Sequence, residues 1–287
     1  MKKLTVLAVA LLSVIPIQAH AATPTIAIID TAIDSSLISQ VSYEVCFTNN
    51  NSCPNGTKSQ EGKGAANVDP IGWSINGMDH GTEVVLSALA ANNNVNIVFI
   101  RISDFTKATA KYAPYMYTGG DTVDRAIQWV NSNASKYNIS AVSISQERHN
   151  FAKGTCPTDA IFESSVQSLK TKNVPVLVGV GNDASVDFVG FPACVKDVVG
   201  VGAATLSAQT YYFSNLGIGV DLMSLGRLNI TMPDKTVRAV IGTSIATPYA
   251  AALWAGKWSG SYDNQILQLS SLPKAKDGLK NLYPFLL

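Results

Sequence analysis

The chain has 287 residues, 47% of them hydrophobic and 14% charged, which is long enough for one sizeable α/β domain and too apolar for a disordered chain. Its formal net charge is +1, and setting aside Lys2 and Lys3 leaves 19 basic against 20 acidic residues. No basic patch or charge run interrupts that balance, which excludes nucleic acid and anionic membranes as partners suggested by charge.

Taken in chain order, residues 1–21 read as an export signal. Lys2 and Lys3 form a positive start, 4–15 an apolar run, Pro16 a break, and Ala19-His20-Ala21 a small-x-small cleavage site. A membrane anchor is the other reading of such a segment, but the run is too short to span a bilayer, so no anchor is expected after cleavage. The mature chain, 22–287, then reads as one domain in a secreted or periplasmic setting.

Its apolar runs alternate with helical ones. Strands are predicted over 25–29, ending at Asp30, and over 96–102, 139–144, 174–180 and 198–201. Helices are predicted over 80–91, 121–133 and 158–172, and from Ser244 to Trp258 with Pro248 in the first turn. Residues 48–79, rich in Asn, Gly, Ser and Pro, read as loop. Strands alternating with such helices predict an α/β fold with a mostly parallel central sheet and helices on both faces. Sites in that architecture form beyond the carboxyl ends of strands, where Asp30 and Asn182 fall.

Four cysteines in an exported chain imply disulfides, with three connectivities open. Proximity favours Cys46 with Cys53 and Cys156 with Cys194. In the chain-entropy model these bridges contribute roughly 2.5 and roughly 4 kcal/mol. Metal ligation lacks the paired spacing it needs.

Catalytic candidates are few. His20 leaves with the signal, so only His80 and His149 remain. His80 opens a helix in His80-Gly81-Thr82, where Gly81 lets another backbone approach closely. His149 has no such context and reads as a surface or satisfied residue. Ser244, in Gly242-Thr243-Ser244-Ile245-Ala246-Thr247-Pro248, begins a buried helix with the dipole at its side, or is an ordinary N-cap. Asp30 ends a buried strand and by itself can equally cap a turn.

Together, Asp30-Thr31, His80-Gly81-Thr82 and the seven residues around Ser244 resemble, in order and in kind, the motifs of the subtilisin-like serine proteases. Val178-Gly179-Val180-Gly181-Asn182, Phe191-Pro192-Ala193-Cys194, Phe213-Ser214-Asn215 and 220–226 fit the same family. The resemblance implies a subtilisin-like three-layer fold and a serine endopeptidase acting on polypeptide substrates. Its triad would be Asp30, His80 and Ser244, with Asn182 at the oxyanion. It further implies that Ser145, Gln146 and Glu147, with Gly179, Val180 and Gly181, bind substrate. No cofactor is implied; structural calcium is common in the family, but no acidic cluster of calcium-loop type is present, so no metal is predicted.

Departures from the family pattern bear on specificity. Ser145-Gln146-Glu147 replaces the usual Ser-Leu-Gly, and the glycines at 179 and 181 suggest a roomier pocket in which Glu147 favours a basic side chain. Glu83 stands where a second histidine is common, and Ala32 where glycine is. Only eight residues, 22–29, separate the cleavage point from Asp30, so no pro-domain is expected, and a separate folding assistant or inhibitor is an alternative. Two rival readings remain to weigh. A catalytically silent relative that only binds peptide or protein would ordinarily lack a triad residue. A dinucleotide-binding enzyme would need glycines after the first strand, where Asp30-Thr31-Ala32-Ile33-Asp34 has none.

Overall fold

The computed structural model describes residues 22–106, 113–147, 155–278 and 281–287, so the expected export signal at 1–21 and His149 lie outside the described residues. The strands, in chain order, are β1 (Thr25–Asp30), β2 (Val41–Phe47), β3 (Ser59–Glu61), β4 (Asn96–Arg101), β5 (Ser103–Phe105), β6 (Met116–Thr118) and β7 (Ile139–Ile144). They continue with β8 (Val176–Gly179), β9 (Val199–Ala204), β10 (Leu222–Leu225), β11 (Arg227–Thr231), β12 (Val237–Ile241), β13 (Lys274–Lys276) and β14 (Leu282–Leu286). The helices are α1 (Pro70–Trp73), α2 (His80–Ala91), α3 (Gly120–Asn133), α4 (Ala160–Thr171), α5 (Thr243–Lys257) and α6 (Tyr262–Gln268).

The central sheet runs β13-β14-β10-β9-β8-β7-β1-β4-β2-β3. From β14 to β2 every pairing is parallel, and one short antiparallel strand closes each edge. Strand alternation divides β1 between two cores. Ile26 and Ile28 pack with Val84, Val85 and Ala88 of α2 and Ala250 and Trp254 of α5. Ala27 and Ile29 pack on the other face with Ile127 and Val130 of α3 and Phe162 and Val166 of α4. The expected three-layer α/β architecture is therefore the one observed. Each fully buried isoleucine adds about 1.5–3 kcal/mol to hold these layers together.

Register brings the functional segments to one edge. Ile29 lies opposite both Ile100 and Ile144, and Ile144 lies opposite Val178. The residues that follow, Asp30, Ser145 and the 179–182 segment, thus leave adjacent strands side by side.

Three expectations need correction. The presumed loop 48–79 contains β3 and the single-turn α1, which begins with Pro70 at its start and the Asp69 carboxylate accepting the Gly72 N–H at 2.7 Å. Pro248 sits in the second turn of α5, not the first. It therefore removes the N–H that would have bonded the Ser244 carbonyl. The predicted strand over 174–180 shortens to β8, whereas that over 198–201 lengthens to β9.

Candidate active site

β1 ends in Asp30, which is fully buried. Its Oδ1 accepts the Thr31 N–H and lies 2.7 Å from His80 Nδ1. The next residue fixes the distance between the two. Thr31 Oγ1 donates to the Met78 carbonyl at 2.9 Å and accepts the Gly81 N–H at 2.8 Å, one of the N-terminal donors that α2 cannot satisfy itself. Gly81 is required at that junction because a Cβ there would collide with the Ala32 carbonyl. Sequence reasoning anticipated the close approach at Gly81 but missed Thr31, whose only signal was its place beside Asp30.

Burial of the imidazole pulls the His80 pKa down. The charge of Asp30 and its hydrogen bond oppose this, aided by the charges of Glu83 and Asp79, and the net shift is upward from 6.5. Glu83 and Asp79 are both paired with Arg238 of β12, at 3.2 Å for Glu83 and closer for Asp79. This cluster joins the β11–β12 hairpin to the start of α2, and motif reading did not reveal it because its members are far apart in sequence.

Ser244 is the second residue of α5 and is partly accessible. It shares with His80 a cleft of about 500 Å³ whose other walls include Glu83, Arg238, Val240 and Ile241. Among the described residues no hydrogen bond joins the His80 ring to Ser244, so that link of the expected triad is open in this structure. The Ser244 carbonyl, deprived of its helical partner by Pro248, accepts the Ser145 hydroxyl at 3.0 Å. Asn182, at the exposed end of the segment after β8, accepts the Thr243 N–H on Oδ1 at 2.9 Å. That bond fixes the amide orientation, and both the amide and the nucleophile candidate crowd Gly242, where an added Cβ would stand 3.0 Å from Ser244 Oγ and 3.7 Å from Asn182 Nδ2.

The residues expected to bind substrate separate on inspection. Gly179 faces α5, where an added Cβ would stand 3.3 Å from the hydroxyls of Thr243 and Thr247. The Val180 side chain is fully buried in the core shared with α3 and α4, so it offers only backbone. Gly181 faces Glu147, whose side chain takes the space that the glycine opens; the pocket is not enlarged there. Ser145, Gln146 and Glu147 are half-buried beside it. Asn215 holds the rim, its side chain accepting from the Asp183 and Ser185 N–H groups and donating to the Val180 carbonyl. All four cysteines are paired, Cys46 with Cys53 and Cys156 with Cys194. Among the described residues no group of three His, Cys, Asp or Glu side chains is placed to hold a metal ion, and no helix is long and apolar enough to cross a membrane.

A model of the Subtilase family matches residues 21–273. The chain is similar to M-protease of Shouchella clausii, at 24% identity over 178 residues, covering 62% of this chain and 44% of that protein. Subtilisin Savinase of Lederbergia lenta is also 24% identical, over 176 residues and 61% of each chain. The chain thus spans about half the length of the curated relatives it matches. Among solved structures, a lanthipeptide protease superimposes with a TM-score of 0.65 at 16% identity, covering 92% of this chain and 85% of its own. At that identity the likeness shows the fold.

Proposed function

The chain belongs to the subtilase family, and on that footing we propose that it is a secreted serine endopeptidase whose peptidase domain occupies 22–287. The observation that carries this reading is the buried Asp30 carboxylate 2.7 Å from His80 Nδ1, with Ser244 in the same cleft. Asp30 holds the ring with its proton on Nδ1, leaving Nε2 as the base. The Ser244–His80 hydrogen bond closes when substrate binds, as such bonds commonly tighten in the complex.

Ser244 Oγ attacks the carbonyl carbon of the scissile peptide while His80 Nε2 takes its proton. The resulting oxyanion is stabilised by Asn182 Nδ2 and by the Ser244 N–H, a first-turn donor of α5. His80 then passes the proton to the departing amine, leaving an acyl-enzyme. Water, deprotonated by the same nitrogen, hydrolyses the ester and restores Ser244. The nucleophile, base and oxyanion donors are all side chains or backbone of this chain, so the proposed cycle uses no cofactor. Ser145 to Glu147 and Gly181 border the substrate. Four paired cysteines fit an oxidising compartment, which supports export.

The test is casein hydrolysis by the purified protein. Turnover should be abolished in Ser244→Ala and His80→Ala. Asn182→Ala should lose about 3–4 kcal/mol of transition-state stabilisation, a magnitude taken over from subtilisin, and should lose it in kcat. Equal hydrolysis by wild type and Ser244→Ala would overturn the assignment.

A further inference from the structure

Asn55-Gly56 and Asn76-Gly77 are the two Asn-Gly dipeptides of the chain. In such a pair the glycine nitrogen can attack the asparagine side-chain carbon, because no side chain on the second residue stands in the way. The fold treats the two pairs differently. At Asn55 the reacting groups are held. The Gly56 N–H donates to the Cys53 carbonyl at 2.8 Å, and Asn55 Oδ1 accepts the Thr57 N–H at 3.0 Å and the Thr57 hydroxyl at 2.8 Å. Asn55 Nδ2 also donates to the Ser59 carbonyl, at 3.3 Å.

Asn76 and Gly77 are the two middle residues of a turn closed by the Met78 N–H on the Ile75 carbonyl at 3.1 Å. Gly77 has φ of +82° whereas Asn76 stays out of the left-handed region, the pattern of a type II turn. The amide between them takes no part in the turn's own hydrogen bond. Among the described residues no group accepts the Gly77 N–H or bonds to the Asn76 side chain. Asn76 is exposed, so water reaches it.

This turn leads directly into α2, which carries His80. The Gly77 carbonyl accepts the His80 N–H at 3.2 Å. The Met78 carbonyl accepts the Ala32 N–H at 3.0 Å and the Thr31 hydroxyl at 2.9 Å. Those bonds tie the start of α2 to the end of β1, and so His80 to Asp30.

We propose that Asn76 is a site of spontaneous deamidation, and that its isoaspartyl product disables the active site. Gly77 N bonds to Asn76 Cγ as the Cγ–Nδ2 bond breaks, and ammonia leaves with the Gly77 proton. Water then opens the cyclic imide at either carbonyl. Opening at Cγ yields aspartate. Opening at the main-chain carbonyl yields isoaspartate, whose backbone runs through Cβ and Cγ and is one methylene longer. That extra length displaces the Met78 carbonyl from Thr31 and Ala32. The modification needs no catalysis by Ser244, whereas its consequence rests on the endopeptidase reading.

Ageing Ser244→Ala in mildly alkaline buffer and mapping its peptides by mass tests the first part without self-digestion. Asn76 should convert roughly tenfold faster than Asn55, the margin expected from the hydrogen bonds that must break at Asn55. The two should convert alike in urea. Equal rates in the folded protein, or Asn55 converting first, would overturn the proposal. For the second part, wild type aged in the same way should lose fluorophosphonate uptake in step with isoaspartate at 76. Aged Asn76→Gln, whose longer side chain cyclises slowly, and fresh Asn76→Asp, which carries only the added charge, should keep it. Isoaspartate that accumulates while uptake stays complete would overturn the link to the active site. A fresh wild type that takes no reagent would overturn the endopeptidase reading, and the peptide map would still decide the modification.

Discussion

Asp30, Asp79 and Glu83 place three carboxylates around the His80 imidazole, and Arg238 is paired with the outer two. Catalysis needs the ring neutral, and its pKa is shifted upward from 6.5. The kcat/KM profile should therefore rise with pH through a midpoint above 6.5. Glu83→Gln should move that midpoint down, because it removes a charge that favours the imidazolium. Arg238→Ala should move it up, because it leaves Asp79 and Glu83 uncompensated. A midpoint that does not move in either variant would contradict the electrostatic picture. The linkage to folding has the opposite sense. A histidine whose folded pKa is raised contributes stability that is complete below about 6.5. That contribution is lost as pH rises through the folded value, so the pair aids stability most where the enzyme is least active.

The start of α5 carries Ser244 and is held by two segments from outside the helix. Asn182 accepts the Thr243 N–H, and Ser145 fills the bond that Pro248 denies the Ser244 carbonyl. Ser145→Ala should leave that carbonyl without a donor, costing about 1 kcal/mol in stability and lowering kcat several-fold with KM little changed. A change confined to KM would place Ser145 on the substrate instead. This arrangement was only half legible in the sequence. The serine motif locates the helix but not the turn in which Pro248 falls, and the donor to the Ser244 carbonyl, Ser145, lies 99 residues upstream of it. The long, strongly patterned elements were legible: α2 spans the residues expected, and β1, β4 and β7 are apolar runs inside a parallel sheet. The β11–β12 hairpin was not. In both strands only one residue is fully buried, so neither carries a continuous apolar run, and pairing with each other defines them instead. β3, β5 and β6, at three residues each, are too short to show any period.

Across the whole molecule, strand order cannot be read from chain order, yet it brings Asp30, Ser145 and Gly181 together from adjacent strands. The triad candidates were legible because each sits in a short motif. Arg238, which completes the charge cluster beside His80, follows from tertiary contact alone. The disulfides stabilise the molecule unequally. Removing Cys46–Cys53 by paired serine substitution should cost roughly 2.5 kcal/mol, and removing Cys156–Cys194 roughly 4 kcal/mol, read from urea unfolding. Cys46 and Cys53 are buried whereas Cys156 is exposed, so mild reduction followed by alkylation should label Cys156 and Cys194 first. Labelling of Cys46 first would contradict that order. The central claim, that Asp30 and His80 activate Ser244, is tested most directly by intact mass after treatment with a fluorophosphonate, in which the serine oxygen bonds phosphorus and fluoride departs. A single adduct on wild type that is mapped to Ser244, and is absent from Ser244→Ala and His80→Ala, is the expected result. A folded wild type that takes no adduct would contradict it, leaving a domain that binds peptides without cutting them.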